Sequence, residues 1–336
     1  MRSRRSKLWP LSILSLTIIT LWFAFPRFSR PIELDPFYGL LPETSPSSRF
    51  AIATFLSSSD PKNIFDQTEE DFYFVATRTL AYQLLHDEQT RCNKSIPFLV
   101  LVTSEVAQDK RDRLSQDGAT VVPVEDVPLR WWIKTGITRW KDQFTKLRIF
   151  EMVEYDRVLF IDADTLLTRP IDGIFDEPTV RIPATTLSHR TDQIKGDEAP
   201  LPAKYVFGAR SDNALTGERD HPFPPPPTNV FSAGFWLAAP SKETFAYLMS
   251  VMGHYRRFNP TTMEQSLLNY AFRREGCMPW IEIDYRWSAT WPNLSDLGGG
   301  VASLHEKFGW TGPEELQQLW RDAREKMEVF FRDRKD

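Results

Sequence analysis

Cysteine is almost absent from this chain: only Cys92 and Cys277 occur among 336 residues. Histidine is also scarce, with five residues, and too few of them flank the cysteines at a spacing suited to zinc. A structural zinc site built on thiolates is therefore excluded. The two thiols allow one disulfide in an oxidising compartment or two plain core residues in a reducing one, and the sequence leaves both open.

Charge is missing from one long stretch, LWPLSILSLTIITLWFAF (8–25), which follows the basic segment 1–7. At the rise of an α-helix this stretch spans ~27 Å, close to the hydrocarbon thickness of a bilayer. It ends in Ala-Phe-Pro, a poor signal-peptidase site. We therefore predict a cytoplasmic tail (1–7), a transmembrane signal anchor (8–25), a stem rich in proline and serine (26–48) and a lumenal folded domain (49–336).

Acidic side chains outnumber basic ones in the chain beyond the N-terminus. The first 30 residues hold six lysines and arginines and no acid, which leaves 35 basic against 45 acidic residues, a net charge of −10, in the remainder. A body this acidic argues against nucleic acid as a partner. Two acceptor sequences for N-glycosylation, at Asn93 and Asn293, agree with a lumenal body and do not prove it.

The folded domain alternates short apolar runs with amphipathic stretches. Apolar runs at 49–56, 96–104, 120–125 and 157–161 predict strands, and the segments between them predict helices, at 69–88, 107–119 and 141–156. Such alternation predicts an α/β fold with a mainly parallel central sheet, Rossmann-like, and helices on both faces. Helices are also predicted at 241–257 and 262–275, a strand at 279–284 and a closing helix at the C-terminus.

Regular periodicity is lacking between about 185 and 228, where polar and proline-rich segments alternate. This length exceeds that of an ordinary connection. Two interpretations stay open: a variable surface insertion, or a loop that covers a substrate.

Two aspartates follow the strand RVLFI with one residue between them, in the sequence DAD (162–164). Charge at the end of a buried strand is costly to desolvate, and ligands bind beyond the carboxyl ends of strands in parallel sheets. Two carboxylates at this position suit a hard divalent cation such as Mn²⁺ or Mg²⁺. The alternative is an acidic turn whose aspartates bond to backbone amides.

The surrounding stretch YDRVLFIDADTLLTRPIDGIF (155–175) resembles the central motif of the glycogenin-like family 8 of retaining glycosyltransferases, which have the GT-A fold. Further segments resemble that family in the same order, from about residue 49 to 312. These segments are RFAIATFL (49–56), FTKLRIF (144–150), FSAGFWLAAPS (231–241), EQSLLNYAF (264–272) and LHEKFGW (304–310). With the predicted anchor, the chain looks closest to fungal Golgi members thought to transfer N-acetylglucosamine.

The resemblance implies a set of site residues. Asp162, Asp164 and His305 would bind Mn²⁺, with Mg²⁺ as the alternative, and the ion would bridge the two phosphates of a UDP-sugar. Lys146, Glu264 and Gln265 are implied as catalytic. The donor would also contact a second group of residues. That group is Ala163, Lys146, Lys307, Ser232 and Gly234.

Three departures from the family pattern bear on the sugar. Ser232 stands where the family has asparagine, and Glu264 stands where it has aspartate. The lysine–proline–tryptophan end of the C-terminal motif is absent, although Lys307 and Trp310 lie near it at another spacing. Five tryptophans could stack on sugar rings, although core packing is the commoner role of this residue. The tryptophans considered are Trp131, Trp132, Trp236, Trp287 and Trp291.

The sequence therefore predicts a single-pass type II Golgi membrane protein that transfers a sugar from a UDP-sugar, first choice UDP-N-acetylglucosamine, to a glycan or glycoprotein acceptor with retained configuration. Two alternatives stay open. A metal-dependent nucleotide phosphohydrolase would use the same aspartates without an acceptor. An inactive membrane-anchored, glycan-binding scaffold would keep the fold without turnover.

Overall fold

The structure is a computed structural model of the whole chain, and it describes residues 50–57, 71–134, 138–216 and 219–334. All described residues belong to one unit, Ser47–Asp336. The predicted tail, anchor and stem (1–7, 8–25 and 26–48) lie outside the described residues. Across the ranges given above, no helix is both long and apolar enough to cross a bilayer.

A seven-stranded mixed sheet forms the centre of the fold, in the order β10-β8-β9-β4-β1-β2-β3. Its strands are β1 (Phe50–Leu56), β2 (Phe98–Val102), β3 (Thr120–Pro123), β4 (Arg157–Ile161), β8 (Phe207–Ser211), β9 (Phe231–Ala238) and β10 (Ile281–Glu282). Four of the pairings are parallel, and β9 runs antiparallel to both of its neighbours, β4 and β8. The prediction of a mainly parallel sheet is confirmed.

Smaller sheets flank the central one. Strand β5 (Thr165–Leu167) pairs with β12 (Ser303–His305), which pairs with β11 (Ala289–Thr290), and β6 (Ala184–Thr185) pairs with β7 (Lys204–Tyr205). The α-helices are α1 (Phe72–Leu85), α2 (Gln108–Gln116), α3 (Pro178–Arg181), α4 (Lys242–Gly253), α5 (Met263–Ala271), α6 (Leu294–Gly298) and α7 (Glu314–Arg332). Helical segments of 3₁₀ type are Thr138–Glu151, Asp172–Asp176, Thr191–Gln193, Asn213–Thr216 and Pro260–Thr262.

Helices cover both faces of the central sheet, as predicted. Along β1, Ala51, Ala53 and Phe55 pack into a core shared with α4 and α5, whereas Ile52 and Leu56 pack into a second core shared with α1 and α2. This alternation follows from the two-residue period of a strand. Because both faces are buried, the strands read as continuous apolar runs, which is why the sequence located β1, β2 and β4.

The helix starts have local causes. Asp71 caps α1 by accepting a hydrogen bond from the Phe74 amide at 3.3 Å, and Ser241 caps α4 through the Thr244 amide at 3.2 Å. Gly118, with a φ of 100°, follows α2 in the left-handed conformation that favours glycine.

The predicted helix 141–156 is instead a 3₁₀ segment, Thr138–Glu151. Phe144, Leu147 and Phe150 are all fully buried and lie three residues apart, a spacing that lines up on one face when a helix has three residues per turn. The helices predicted at 241–257 and 262–275 end earlier, at Gly253 and Ala271. The strand predicted at 279–284 is reduced to two residues, Ile281–Glu282.

The segment 185–228 is not only an insertion or a loop, because it contains β8. All five residues of β8 are buried, including Arg210, whose guanidinium donates to the Ser288 carbonyl at 3.1 Å and pairs with Glu282. A strand that carries glycine, arginine and serine has a weak apolar signal. Its charge is tolerated because Glu282 and the carbonyl come from distant parts of the chain.

The structure shows the state of both cysteines and the exposure of the asparagines in the two glycosylation sequences. Cys92 and Cys277 are both free thiols, so the structure favours the alternative without a disulfide. Asn93 is exposed. Asn293 is only 5% exposed, and its side-chain amide donates to the carbonyls of Arg219 and His221, each at 3.0 Å. Its amide nitrogen is therefore not accessible to a glycosylating enzyme in the folded chain.

Candidate functional site

The two aspartates of the DAD sequence lie at the carboxyl end of β4, between the central sheet and the small sheet that contains β5. The Asp162 amide donates to the Gly234 carbonyl of β9 at 2.9 Å, which continues the β4–β9 pairing by one step. The Asp164 carbonyl accepts from the Glu306 amide at 3.2 Å, next to the β5–β12 pair. These backbone bonds turn the chain so that both carboxylates face one space.

His305 reaches the same space from the end of β12. Its Nε2 lies 3.2 Å from Oδ1 of Asp164 and 3.7 Å from Oδ2 of Asp162. One ligand atom from each of the three residues lies within 4.8 Å of the others. Two carboxylates and an imidazole suit Mn²⁺ and similar first-row ions, and they suit Mg²⁺, which prefers oxygen ligands, less well. The structure thus brings together the three residues predicted to hold a cation.

Gly234 forms the wall against which His305 packs. A Cβ added to Gly234 would lie 2.2 Å from Cε1 of His305, 2.5 Å from its Nδ1 and 3.0 Å from Oδ2 of Asp162. Any side chain at residue 234 would therefore displace the imidazole or the carboxylate. The glycine is required by this close approach of backbone to side chains.

Lys146 connects the cation site to the opposite wall of the cavity. Its ammonium group donates to Asp162 at 2.7 Å and to Glu264 at 3.0 Å, and both Lys146 and Glu264 are buried. Glu264 stands at the start of α5, after Met263, whose φ of 53° lies in the strained left-handed region. The second carboxylate oxygen of Glu264 is buried without a hydrogen-bond partner among the described residues, which leaves an acceptor at the cavity wall.

Charges within the site shift its pKa values in opposite directions. Burial lowers the pKa of His305, but the negative charges of Asp164 and Asp162 outweigh burial and raise it to about 9. Burial opposes ionisation of Asp164, but the neighbouring His305, Lys307 and Lys146 hold its pKa below the usual range. Burial likewise raises the pKa of Glu264, with Lys146 opposing it. The pKa of Lys146 is raised because its two carboxylates outweigh its burial.

All the remaining predicted site residues line one cavity of about 330 Å³ together with the cation site. They are Ala163, Lys307, Ser232 and Gln265. The side chain of Gln265 is already engaged, because its oxygen accepts from the Ala233 amide at 2.9 Å and its nitrogen donates to Asp212 at 3.1 Å. The Ser232 hydroxyl accepts from the Gly234 amide at 3.2 Å.

Two residues that support this wall were not predicted. Asn269 bonds both the amide and the carbonyl of Phe231, each at 3.0 Å, and the buried Asp212 fixes Gln265. Asn269 lies within the EQSLLN segment, so its spacing was a usable signal. Asp212 has no such signal in the sequence.

Other lining residues were also missed, namely Phe55, Tyr73, Gln143, Thr261, Thr262 and Met263. Phe55 is the penultimate residue of β1, Tyr73 is the second residue of α1, and Gln143 precedes Lys146 on the 3₁₀ segment. Each stands on an element that the cation site does not use, so only the assembled sheet brings them to the cavity.

The fold and site define a mixed α/β protein with a candidate cation centre at the carboxyl edge of a mainly parallel sheet. No protein-family model matches the chain. Two uncharacterized proteins of Schizosaccharomyces pombe are 31% and 30% identical to it, over 75% of this chain and 73% and 72% of their own lengths. The chain belongs to the same protein family as these two.

Galactinol synthases are also similar to the chain. Galactinol synthase 1 of Ajuga reptans is 26% identical over 54% of this chain and 53% of its own length. The chain thus spans about half of that relative. This similarity supports the resemblance of the sequence motifs to family 8 glycosyltransferases. The likeness to fungal N-acetylglucosaminyltransferases stays a prediction.

Likenesses to solved structures are weak. A galactosyltransferase in complex with donor and acceptor sugar analogues aligns with 81% of this chain and 95% of its own, at 14% identity and a TM-score of 0.45. A glycosyltransferase of Streptococcus pneumoniae aligns with 82% of this chain and 61% of its own, at 13% identity and a TM-score of 0.48. Scores at this level carry no argument about fold or function.

Proposed function

We propose that the protein is a glycosyltransferase of the family 8 type, with the GT-A fold, that moves a sugar from a nucleotide diphosphate sugar to a glycan or glycoprotein acceptor. The observation that carries this proposal is the convergence of Asp162, Asp164 and His305 within 4.8 Å of one another at the edge of a large cavity. The similarity to galactinol synthases supports the class of activity.

Asp162, Asp164 and His305 would hold a divalent cation, for which we propose Mn²⁺. A cation bound there supplies positive charge next to the diphosphate that leaves during transfer. Lys307, which lines the same cavity, would add positive charge on the phosphate side. A diphosphate carries several negative charges, so a site that pairs a cation with lysines suits it better than it suits a neutral ligand.

Lys146, Glu264 and Gln265 would act on the sugar side. Glu264 lines the cavity, and Lys146 holds its carboxylate in place through a hydrogen bond of 3.0 Å. Glu264, which stands where the family has aspartate, therefore still contacts Lys146. This contact favours an active enzyme over an inactive scaffold.

Ala163, Ser232 and Gly234 would form the wall against which the donor lies, since all three line the cavity and have small side chains. Our first choice of donor is UDP-N-acetylglucosamine, with retained configuration. In the proposed step the sugar–phosphate bond breaks with its electron pair leaving on the diphosphate. The acceptor oxygen then bonds to the sugar on the same face, and its proton passes to the departing phosphate.

We further propose that the protein acts in the Golgi lumen and is anchored through residues 8–25. Both statements rest on the sequence pattern of the N-terminus, which lies outside the described residues. The exposed Asn93, within its glycosylation sequence, is compatible with a lumenal folded domain.

Calorimetric titration of the purified chain with UDP, with and without Mn²⁺, tests the cation site. We expect binding that requires Mn²⁺ and is lost in Asp164→Asn. The exposed Asp109 on α2 provides the matched control, because Asp109→Asn removes one carboxylate that does not line the cavity, and this variant should bind as wild type does. If UDP binds in neither condition, the transferase proposal fails.

Product analysis separates the remaining alternatives. A transferase releases UDP from UDP-N-acetylglucosamine faster when an acceptor glycan is added, whereas a phosphohydrolase releases inorganic phosphate from UDP without one. A chain that binds glycan without Mn²⁺ and turns over neither compound would be a scaffold. Screening other UDP-sugars in the same assay tests the choice of donor.

A further inference from the structure

Two aromatic rings stand exposed side by side on the surface near the cavity. The Trp131 side chain is 80% exposed and that of Tyr255 is 57% exposed. Their rings are stacked, with centroids 5.6 Å apart and an angle of 10° between the planes. Exposing so much flat apolar surface is unfavourable in water, and adjacent exposed aromatic rings commonly mark binding sites.

Three exposed cations lie within three residues of these rings along the chain, namely Arg130, Lys134 and Arg256. The Arg256 guanidinium lies over the Tyr255 ring, 5.1 Å from its centroid. No carboxylate within residues 50–57, 71–134, 138–216 or 219–334 forms an ion pair with any of the three. We call these five residues the aromatic–basic patch. It is a local excess of positive charge on an acidic body.

The patch rests on a fixed support. Trp132, next to Trp131, is buried and packs its ring edgewise on Phe258 at 5.2 Å and on Tyr255 at 6.1 Å. Arg257, next to Arg256, bonds to Asp197 at 2.6 Å and to the buried Glu198 at 2.7 Å. Tyr255 is therefore supported by buried neighbours, which limits the conformational entropy that this ring would lose on binding.

The same support leads to the cavity. Phe258 packs against Phe144, which is adjacent to the cavity residue Gln143. Thr261 on the cavity wall lies six positions after Tyr255 along the chain, so their Cα atoms are within ~22 Å of each other even if the chain between them is fully extended. An oligosaccharide is long enough to reach from the patch to the cavity.

We propose that the aromatic–basic patch binds the acceptor, and that the acceptor is an anionic oligosaccharide. This inference rests on the proposed function, because it assigns the acceptor of the same reaction. A sugar ring presents C–H groups on one face, which pack on the exposed ring of Trp131 or Tyr255. Carboxylate or phosphate groups on the oligosaccharide pair with Arg130, Lys134 and Arg256.

A bilayer surface is the competing occupant, because tryptophan, tyrosine and cations also occur where proteins contact anionic lipids. The observations favour the saccharide. The two rings are stacked on each other, and Tyr255 is supported by a T-shaped contact with the buried Trp132, so the pair presents flat apolar surface to a sugar ring. Within residues 129–134 and 254–258, Trp131 and Tyr255 are the exposed large apolar side chains, and no exposed Leu or Ile is there to insert into lipid.

Binding measurements on the purified full-length chain test the inference. The probes are hexagalacturonic acid, the neutral maltohexaose, and vesicles of phosphatidylcholine with and without phosphatidylserine. We expect hexagalacturonic acid to bind at least about tenfold more tightly than maltohexaose, and the difference to shrink as salt is added. Trp131→Ala should weaken hexagalacturonic acid about tenfold, through the loss of one stacked surface.

Arg256→Gln should weaken hexagalacturonic acid several-fold and leave maltohexaose unchanged. The control Lys326→Gln removes an exposed cation on α7 and should change neither. Titration of each variant with UDP and Mn²⁺ keeps the two proposals apart. If the wild-type chain binds UDP but not hexagalacturonic acid, the acceptor proposal alone is overturned. If the wild-type chain does not bind UDP, the proposed function is overturned. Equal binding of the two hexasaccharides, or binding of phosphatidylserine vesicles alone, also overturns the patch.

Discussion

The two halves of β9 are held in different ways. Its second half, from Phe235 to Ala238, pairs residue by residue with β4, and the bonds join backbone to backbone. Its first half extends past the end of β4, where Gln265 and Asn269 of α5 supply the hydrogen bonds that a neighbouring strand would supply. Where the pairing with β4 ends, side chains of α5 form hydrogen bonds with the backbone N–H and C=O groups of β9. This unpaired part of β9 forms one wall of the cavity.

This difference has a chemical consequence. The paired half presents Trp236 and Leu237 to the two cores, and it has no polar side chain. The projecting half presents Ser232 and Gly234 to the cavity that also holds Lys146 and Glu264. Changes to the paired half should therefore alter stability, and changes around the projecting half should alter binding.

The largest effect is expected from removing the buried ammonium group of Lys146. Lys146→Met leaves the carboxylate of Glu264 buried without its partner, and should lower the free energy of unfolding by ~3–5 kcal/mol. Adding Glu264→Gln should recover most of that loss without restoring sugar transfer. Urea denaturation measures both variants. A stable Lys146→Met single variant would contradict the ion pair.

Two glycine substitutions test the contrast between binding and stability. Gly234→Ala should weaken Mn²⁺-dependent UDP binding by about 100-fold, because the new methyl group displaces His305. Gly208→Ala on β8, opposite the paired half, would meet Ile283 and Val180 side chains at 3.0 Å. It should lower the thermal midpoint and keep UDP affinity. Calorimetry and thermal melting measure the pair, and the reverse pattern would refute the contrast.

A smaller effect is expected from changing the side chains of α5 that form hydrogen bonds with the unpaired part of β9. Asn269→Leu leaves the amide and carbonyl of Phe231 without partners, and should cost ~1–3 kcal/mol of unfolding free energy. Hydrogen exchange should accelerate at the Phe231 amide more than at Leu237 in the paired half. Ser266→Ala on the same helix is the control, because Ser266 bonds only to the exposed Thr262. Equal exchange at both amides would show that Asn269 is dispensable.

The smallest effect concerns pH in chain kept free of metal by a chelator. The pKa of His305 is raised to about 9 from its ordinary 6.5, so the stabilisation from its pairing with Asp164 is complete below about 6.5 and is lost as pH rises through about 9. The lowered pKa of Asp164 means that this stabilisation persists below its ordinary 3.8 and disappears only in stronger acid. The thermal midpoints of the wild type and of His305→Asn, measured as a function of pH, should converge above pH ~9. Parallel curves throughout would contradict the pairing.

Local patterns in the sequence determined much of the fold. Continuous apolar runs located β1, β2 and β4, and helical periodicity located α1, α2 and α7, because these elements bury apolar faces whose spacing is visible along the chain. The motif order also predicted Asp162, Asp164 and His305 as one site, and the structure brings them together. What that site does stays a proposal.

Other features were decided only by tertiary contacts. Strand β8 was missed because the charge of Arg210 is neutralised by Glu282, which is distant in sequence, and Asp212 was missed because its role depends on meeting Gln265. The 3₁₀ form of Thr138–Glu151 and the burial of Asn293 also depend on what packs against them. The sequence by itself determines which segments must bury apolar surface, because that requirement is local. Which polar groups find partners is decided by the assembled structure, because those partners lie far apart in the chain.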